Sequence, residues 1–259
     1  MGIIIARSRY PWSGEAKDDE QELLKPRNLD AFSPVFRRFR SAAAPSWLRA
    51  GGAIWAGETA ALQDNGGPGV SDRFESTLWL YDQLGQQGDA SVSRMLRECL
   101  ACGDYTMLNV SASFAPLPDF FSTVLWRQVV GPKVLRVSRV NVNETLRMYA
   151  RCGRTKQTMV LVAVNLGATT RSVVLRQGDS TEVPQQKREW LLSAGTGTGM
   201  ASWGHSPVAA LNGKPLRLSA AGEMPALPPR VTTLEEPVVL PALSVGLVEY
   251  DAPPGSVCF

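Results

Sequence analysis

Residues 53–59 read Ala53-Ile54-Trp55-Ala56-Gly57-Glu58-Thr59. A short apolar run that ends in a carboxylate, followed by a glycine-rich loop and an amphipathic stretch, reads as a βα unit of a parallel sheet with its strand buried on both faces. Glu58 then stands at the C-terminal end of that strand, where the βα loops of a barrel converge and catalytic groups are held rigidly. From position alone, a helix-capping or salt-bridging glutamate is an equal alternative, because one Glu is a weak motif.

Downstream, the loop Asp64-Asn65-Gly66-Gly67-Pro68-Gly69 leads to Ser71-Asp72-Arg73-Phe74-Glu75. Asp72 and Glu75 have the spacing of a capping box, and Phe74, Leu78, Tyr81 and Leu84 form the stripe of a helix expected to stop at Gly85. A further unit follows: an apolar segment over Met95–Ala101, a loop with Gly103, Asp104 and Tyr105, and a helix from Asp119 to Val130 that stops at Gly131. Beyond it the hydrophobic period becomes two, over 134–137, 146–149, 159–166, 172–175, 190–192, 216–218, 238–240 and 245–250, and Asn212-Gly213 is a hairpin-turn signal. Eight short strands with Gly/Pro turns suggest a β-sandwich, so the domain boundary is placed near Gly131-Pro132.

Upstream, Leu29, Phe32, Phe36 and Phe39 recur at spacings of three and four, with Arg37, Arg38 and Arg40 on the other side, which predicts one amphipathic helix. Residues 1–20 are charged and turn-rich and read as an irregular leader. The opening Met1-Gly2-Ile3-Ile4-Ile5-Ala6-Arg7 is too short for a signal-peptide core, and no stretch approaches the length of a membrane span. A net charge of +3, spread along the chain, argues against a nucleic-acid binder or a polybasic tether. Cys99 and Cys102 form a lone C-x-x-C. With no second pair and only His205 far away, they read as small buried side chains, and no metal or cofactor site is indicated.

Trp55-x-Gly57-Glu58-Thr59, the glycine-rich loop, Ser71-Asp72-x-Phe74, the run Trp79–Gly85, Gly103-Asp104-Tyr105, Pro116–Phe120 and Gly131–Val134 follow one another. In order and spacing they resemble the heparanases and their plant homologues, the retaining β-glucuronidases of glycoside hydrolase family 79. The resemblance runs on through Leu146–Cys152, Val164–Leu166, Leu211–Gly213, Pro225–Pro228 and Leu240–Ser244, and upstream to about Leu23. It implies an α/β plus all-β chain: the last two or three βα units of a (β/α)8 TIM barrel over 21–131, then a C-terminal β-sandwich over 132–259.

It also implies roles. Glu58 matches the nucleophile, and Tyr105 matches a tyrosine near the substrate carboxylate. Asp64, Asn65 and Gly66 match a loop whose backbone N–H groups face the sugar, although the animal pattern has glycines where Asp64 and Asn65 stand. Gly103 lies in the last barrel loop, Glu98 replaces a glutamine that precedes it, and Cys102 replaces a glycine. The acid/base of the family sits in an Asn-Glu pair well upstream, and nothing before Ala53 matches that element. Cys152 and Cys258 match a disulfide that would close a loop of about 106 residues and contribute about 4 kcal/mol. That bridge, with the sequons at Asn109 and Asn143, implies secretion or lysosomal or vacuolar residence. The implied partner is an acidic polysaccharide or glucuronoside, with peripheral membrane or extracellular-matrix association compatible. A non-catalytic polysaccharide-binding protein and an inactive truncated product are the alternatives.

Overall fold

The computed structural model describes residues 3–6, 20–62, 65–137, 144–175, 186–195 and 205–258. Three short parallel strands open the architecture: β1 (Ile3–Ala6), β2 (Ala53–Thr59) and β3 (Arg94–Arg97), in that order across the sheet. Residues 3–6 therefore correct the reading of an irregular leader. Three consecutive isoleucines are β-branched and suit a strand, and Ile3–Ala6 pair in register with Ala53–Ala56.

Among the described residues between β1 and β2 lie four helices: α1 (Glu20–Leu23), α2 (Pro26–Leu29), α3 (Ser33–Ala42) and α4 (Pro45–Arg49). The single helix expected from Leu29 to Phe39 is thus divided. Pro34 lies in the first turn of α3, where its missing N–H costs nothing, and the chain before it turns at Asp30–Phe32. Phe32 and Phe36 pack on Ile54 and Ala56 of β2, whereas Phe39, expected on the same stripe, is 37 % exposed.

Helix α5 (Phe74–Asp89) follows β2 and is buried almost throughout. It passes Gly85, where an end was expected. A Cβ at Gly85 would lie 2.2 Å from the Tyr149 ring, so this glycine serves close packing rather than a helix stop. The expected capping box also differs. Asp72 accepts a hydrogen bond from the Gly69 N–H (2.7 Å), and Glu75 Oε1 lies 3.3 Å from His205 Nδ1. After β3 come β4 (Leu108–Asn109) and β5 (Ala115–Pro116), paired as a small hairpin, and then α6 (Pro118–Val129).

α6 runs directly into β6 (Val130–Leu135), the first strand of a large antiparallel sheet. Its other strands are β7 (Leu146–Gly153), β8 (Thr158–Asn165), β10 (Gln186–Ala194), β11 (Ala209–Leu211), β12 (Lys214–Pro215), β13 (Arg230–Thr233) and β15 (Ser244–Asp251). The order is β12-β11-β10-β15-β8-β7-β6, with β13 also on β10. β9 (Arg171–Val173) and β14 (Val238–Leu240) form a separate two-stranded sheet.

Alternation along β8 shows what each face does. Val160, Val162 and Val164 join one core with Phe74, Leu78, Trp79 and Tyr81 of α5, while Leu161 and Ala163 join a second core with Val173, Val238 and Leu240 of the small sheet. The segment 216–218, expected as a strand, is not one. Pairing occurs instead at Lys214–Pro215, where Asn212 and Gly213, both at positive φ, make the tight turn from β11.

Candidate active site

Glu58 lies near the C-terminal end of β2 and is exposed, although its neighbours Gly57, Thr59 and Ala60 are buried. Its backbone pairs with Leu96 of β3 across an irregularity at Gly57, and Thr59 pairs with Arg97. The Glu98 N–H donates to the Thr59 carbonyl (2.9 Å), which continues the ladder one residue past β3. Leu96 and Glu98 are two residues apart, so Glu58 and Glu98 emerge on the same face of neighbouring parallel strands. Adjacent strands run about 4.8 Å apart.

Tyr105 closes the group. It is 7 % exposed, and burial pushes its phenol above the ordinary value, reinforced by the Glu98 charge, a hydrogen bond to Glu98 and the Glu58 charge. In that hydrogen bond the phenol O–H donates to the Glu98 carboxylate. Arg97 opposes the shift but points to the other face. There its Nη2 meets Asp119 Oδ2 at 2.8 Å, its guanidinium lies 5.7 Å from the centroid of the Trp79 ring, and its side chain is 6 % exposed. Asp119 also accepts from Ser76 (2.7 Å) and Thr77 (2.9 Å), so this buried cluster fastens β3 to α5 and α6.

The loops after β2 and β3 are locked together. Gly66, at φ +87, has no room for a side chain: a Cβ would lie 2.7 Å from both Ser71 Oγ and the Tyr105 nitrogen. Gly103, at φ +59, faces Asn65 in the same way, with a Cβ 2.3 Å from Asn65 Oδ1. The Asp104 N–H donates to the Asn65 carbonyl (2.7 Å), the Gly67 N–H donates to Ser71 Oγ (2.9 Å), and Ser71 Oγ donates to the Asp104 carbonyl (2.8 Å). Glu58, Asn65, Gly66, Glu98, Gly103 and Tyr105 therefore come together, while Asp64 lies outside the described residues. Asn109 sits half-buried in β4, and Asn143 is also outside the described residues.

Two disulfides are present. Cys152–Cys258 joins β7 to the C-terminal segment, as the resemblance implies. Cys99–Cys102 corrects the reading of two small buried side chains: the turn brings their Cα atoms to 5.8 Å, within the range a disulfide spans, and Cys102 is exposed. This bridge frames the loop between Glu98 and Tyr105. Sequence reasoning missed it, and it missed the Arg97–Asp119 cluster, whose members lie 22 residues apart with no local pattern linking them. Among the described residues, no helix is long and apolar enough to cross a membrane, and no group of three or more His, Cys, Asp or Glu is placed to hold a metal ion.

No family profile matches the chain. Among curated proteins it is 28 % identical to Heparanase-like protein 2 of Arabidopsis thaliana, over 90 % of this chain and 47 % of that protein. It is 27 % identical to Baicalin-beta-D-glucuronidase of Scutellaria baicalensis, over 68 % and 32 %, and 26 % identical to Inactive heparanase-2 of Homo sapiens, over 87 % and 39 %. The chain thus spans about half the length of the first of these relatives, and less of the others. Among solved structures, an arabinofuranosidase superposes with a TM-score of 0.60 at 11 % identity, over 90 % of this chain and 50 % of that one. At that identity the likeness concerns the fold alone.

Proposed function

The chain belongs to the heparanase-like family, and we propose that it is the nucleophile-bearing part of a retaining glycoside hydrolase, with Glu58 as the nucleophile. The observation that carries this reading is the placing of Glu58: an exposed carboxylate at the C-terminal end of a parallel strand, beside a second carboxylate, a buried tyrosine and two interlocked loops. Retaining hydrolysis uses two carboxyl groups about 5 to 5.5 Å apart, one attacking the anomeric carbon and the other protonating the leaving oxygen before activating water. In this reading β1–β3 and their helices are the last units of a (β/α)8 barrel, residues 132–259 are a β-sandwich, and the acid/base belongs to barrel strands outside the residues present here.

Kinship favours β-glucuronosyl linkages in acidic polysaccharides or glucuronosides as the bonds cleaved. Two disulfides suit an oxidising compartment, which agrees with secretion or lysosomal residence. A second reading, a polysaccharide-binding protein without turnover, is favoured by one observation: a relative named as inactive matches 87 % of this chain. Two assays on one preparation separate them. Release of nitrophenol from 4-nitrophenyl β-glycosides that Glu58→Gln abolishes supports the hydrolase; retention on an immobilised acidic glycan with no new reducing ends supports the binding protein.

A further inference from the structure

We infer that the Cys99–Cys102 bridge is a reversible thiol–disulfide modification site, opened by a dithiol while the chain stays folded. Given the reading of the Glu58 face as the sugar site, on which this part rests, the state of the bridge sets how tightly a sugar is held. The two bridges of the chain differ in what they constrain. Cys152 and Cys258 are 106 residues apart, and Cys152 is buried in β7. Cys99 and Cys102 are 3 residues apart, Cys102 is exposed, and so are Leu100 and Ala101 between them. A bridge over a long loop restricts the unfolded chain strongly and one over a short loop restricts it little, so the second can open without unfolding the chain. Exposure gives a reductant access to sulfur, and exposed bridges are the labile ones.

The chemistry balances with a dithiol as the reductant. One thiolate of the dithiol attacks the exposed Cys102 sulfur, the S–S bond breaks and Cys99 leaves as a thiolate; the second thiol of the reagent then displaces Cys102. Two electrons and two protons pass to the protein, which gains two thiols, and the reagent becomes its own disulfide. Position gives this exchange its consequence. Cys99 follows Glu98 directly, and Cys102 precedes Gly103, which faces Asn65 of the neighbouring loop. The carbonyls of Cys99 and Leu100 accept the N–H groups of Met107 (3.0 Å) and Leu108 (2.9 Å), so the base of the loop is held by backbone rather than by sulfur. Opening the bridge therefore loosens the tip, residues 100–104. With the tip go the packing of Gly103 on Asn65 and the seat of Tyr105 beside Glu98.

Treating the full chain with dithiothreitol at neutral pH, alkylating it and mapping the labelled cysteines by mass spectrometry tests the site. Hydrogen exchange and equilibrium binding of 4-nitrophenyl β-glucuronide test its effect. Cys99 and Cys102 are expected to be alkylated while Cys152–Cys258 stays closed. Amide exchange over residues 100–105 is expected to quicken at least about tenfold, with β7 and β8 unchanged. The glucuronide is expected to bind about tenfold more weakly, because the loop must then be ordered on binding, and to recover on reoxidation. Cys99→Ala/Cys102→Ala is expected to show the faster exchange and weaker binding from the outset and not to respond to the reductant. A bridge that resists the dithiol until the chain unfolds, or exchange and binding both unchanged after selective opening, overturns the inference. Selective opening with faster exchange, in a chain that binds the glucuronide in neither state, overturns the sugar-site reading alone.

Discussion

The Ser71 hydroxyl lies 2.8 Å from the carbonyl oxygen of Asp104, 33 residues away, and accepts the Gly67 N–H from its own loop. One side chain therefore joins the loop after β2 to the loop after β3. Ser71→Ala leaves a buried N–H and a carbonyl unpaired, at a cost of about 1 to 3 kcal/mol. The expected result is a melting temperature lower by roughly 2–12 °C, at 2–4 °C per kcal/mol, with glycoside binding weakened in parallel. Unchanged stability and binding would show that the loops hold without it.

Gly85 and Gly88 lie one turn apart on α5 and face different neighbours. A Cβ at 85 meets the Tyr149 ring, whose hydroxyl is held by Asp82 at 2.6 Å, whereas a Cβ at 88 meets the flexible end of Arg151. Gly85→Ala is expected to destabilise by about 1–3 kcal/mol through overpacking, and Gly88→Ala by less. Chemical denaturation of the two variants checks the order, and the reverse order would place the tight contact elsewhere.

Lys187 is fully buried, donates to the carbonyls of Thr233 and Glu236, and lies 3.3 Å from Glu189. Lys187→Met strands those acceptors. Because Glu189 keeps Arg230 and Thr232, the loss is expected near the lower end for a broken buried pair, about 3 kcal/mol. A variant as stable as the parent would mean that the strand ends rearrange.

Tyr81, Tyr105 and Tyr250 all have phenols raised above their ordinary value of 10.0, each first by burial. The fold favours their neutral form, so their contribution is fully present below the unfolded value and is lost as pH rises through the folded ones. Unfolding free energy is expected to fall as pH is raised above about 10, tracking phenolate absorbance that emerges only as the chain unfolds. Phenolate formation at the ordinary value in the folded chain would contradict the burial.

Much of this architecture was legible from local pattern. The run Ala53–Thr59 proved to be a strand with Glu58 near its end, the helix expected from Asp119 begins at Pro118, and the segment read as a strand over 159–166 is one, although both of its faces are buried where alternation alone indicates one. What escaped depends on contacts made elsewhere in the chain. Gly85 looks like a helix stop until Tyr149 is known to lie against it, and the stripe through Phe32 and Phe39 looks continuous until Pro34 and the turn before it intervene. Glu98 and Tyr105 were legible as site residues only through resemblance, because a Glu one residue past a short strand carries no signal of its own. That Tyr105 comes close to Glu98 depends on how the loop after β3 folds back, which no local pattern shows.

The central claim is that Glu58 attacks an anomeric carbon, and trapping the covalent intermediate tests it most directly. A 2,4-dinitrophenyl 2-deoxy-2-fluoro-β-glycoside, in glucoside and glucuronide forms, carries a leaving group that departs without protonation, so the trap does not depend on an acid/base being present. The account predicts one glycosyl adduct by mass spectrometry, on the peptide containing Glu58 and absent from Glu58→Gln. No adduct with either reagent, or an adduct on Glu98, would contradict it.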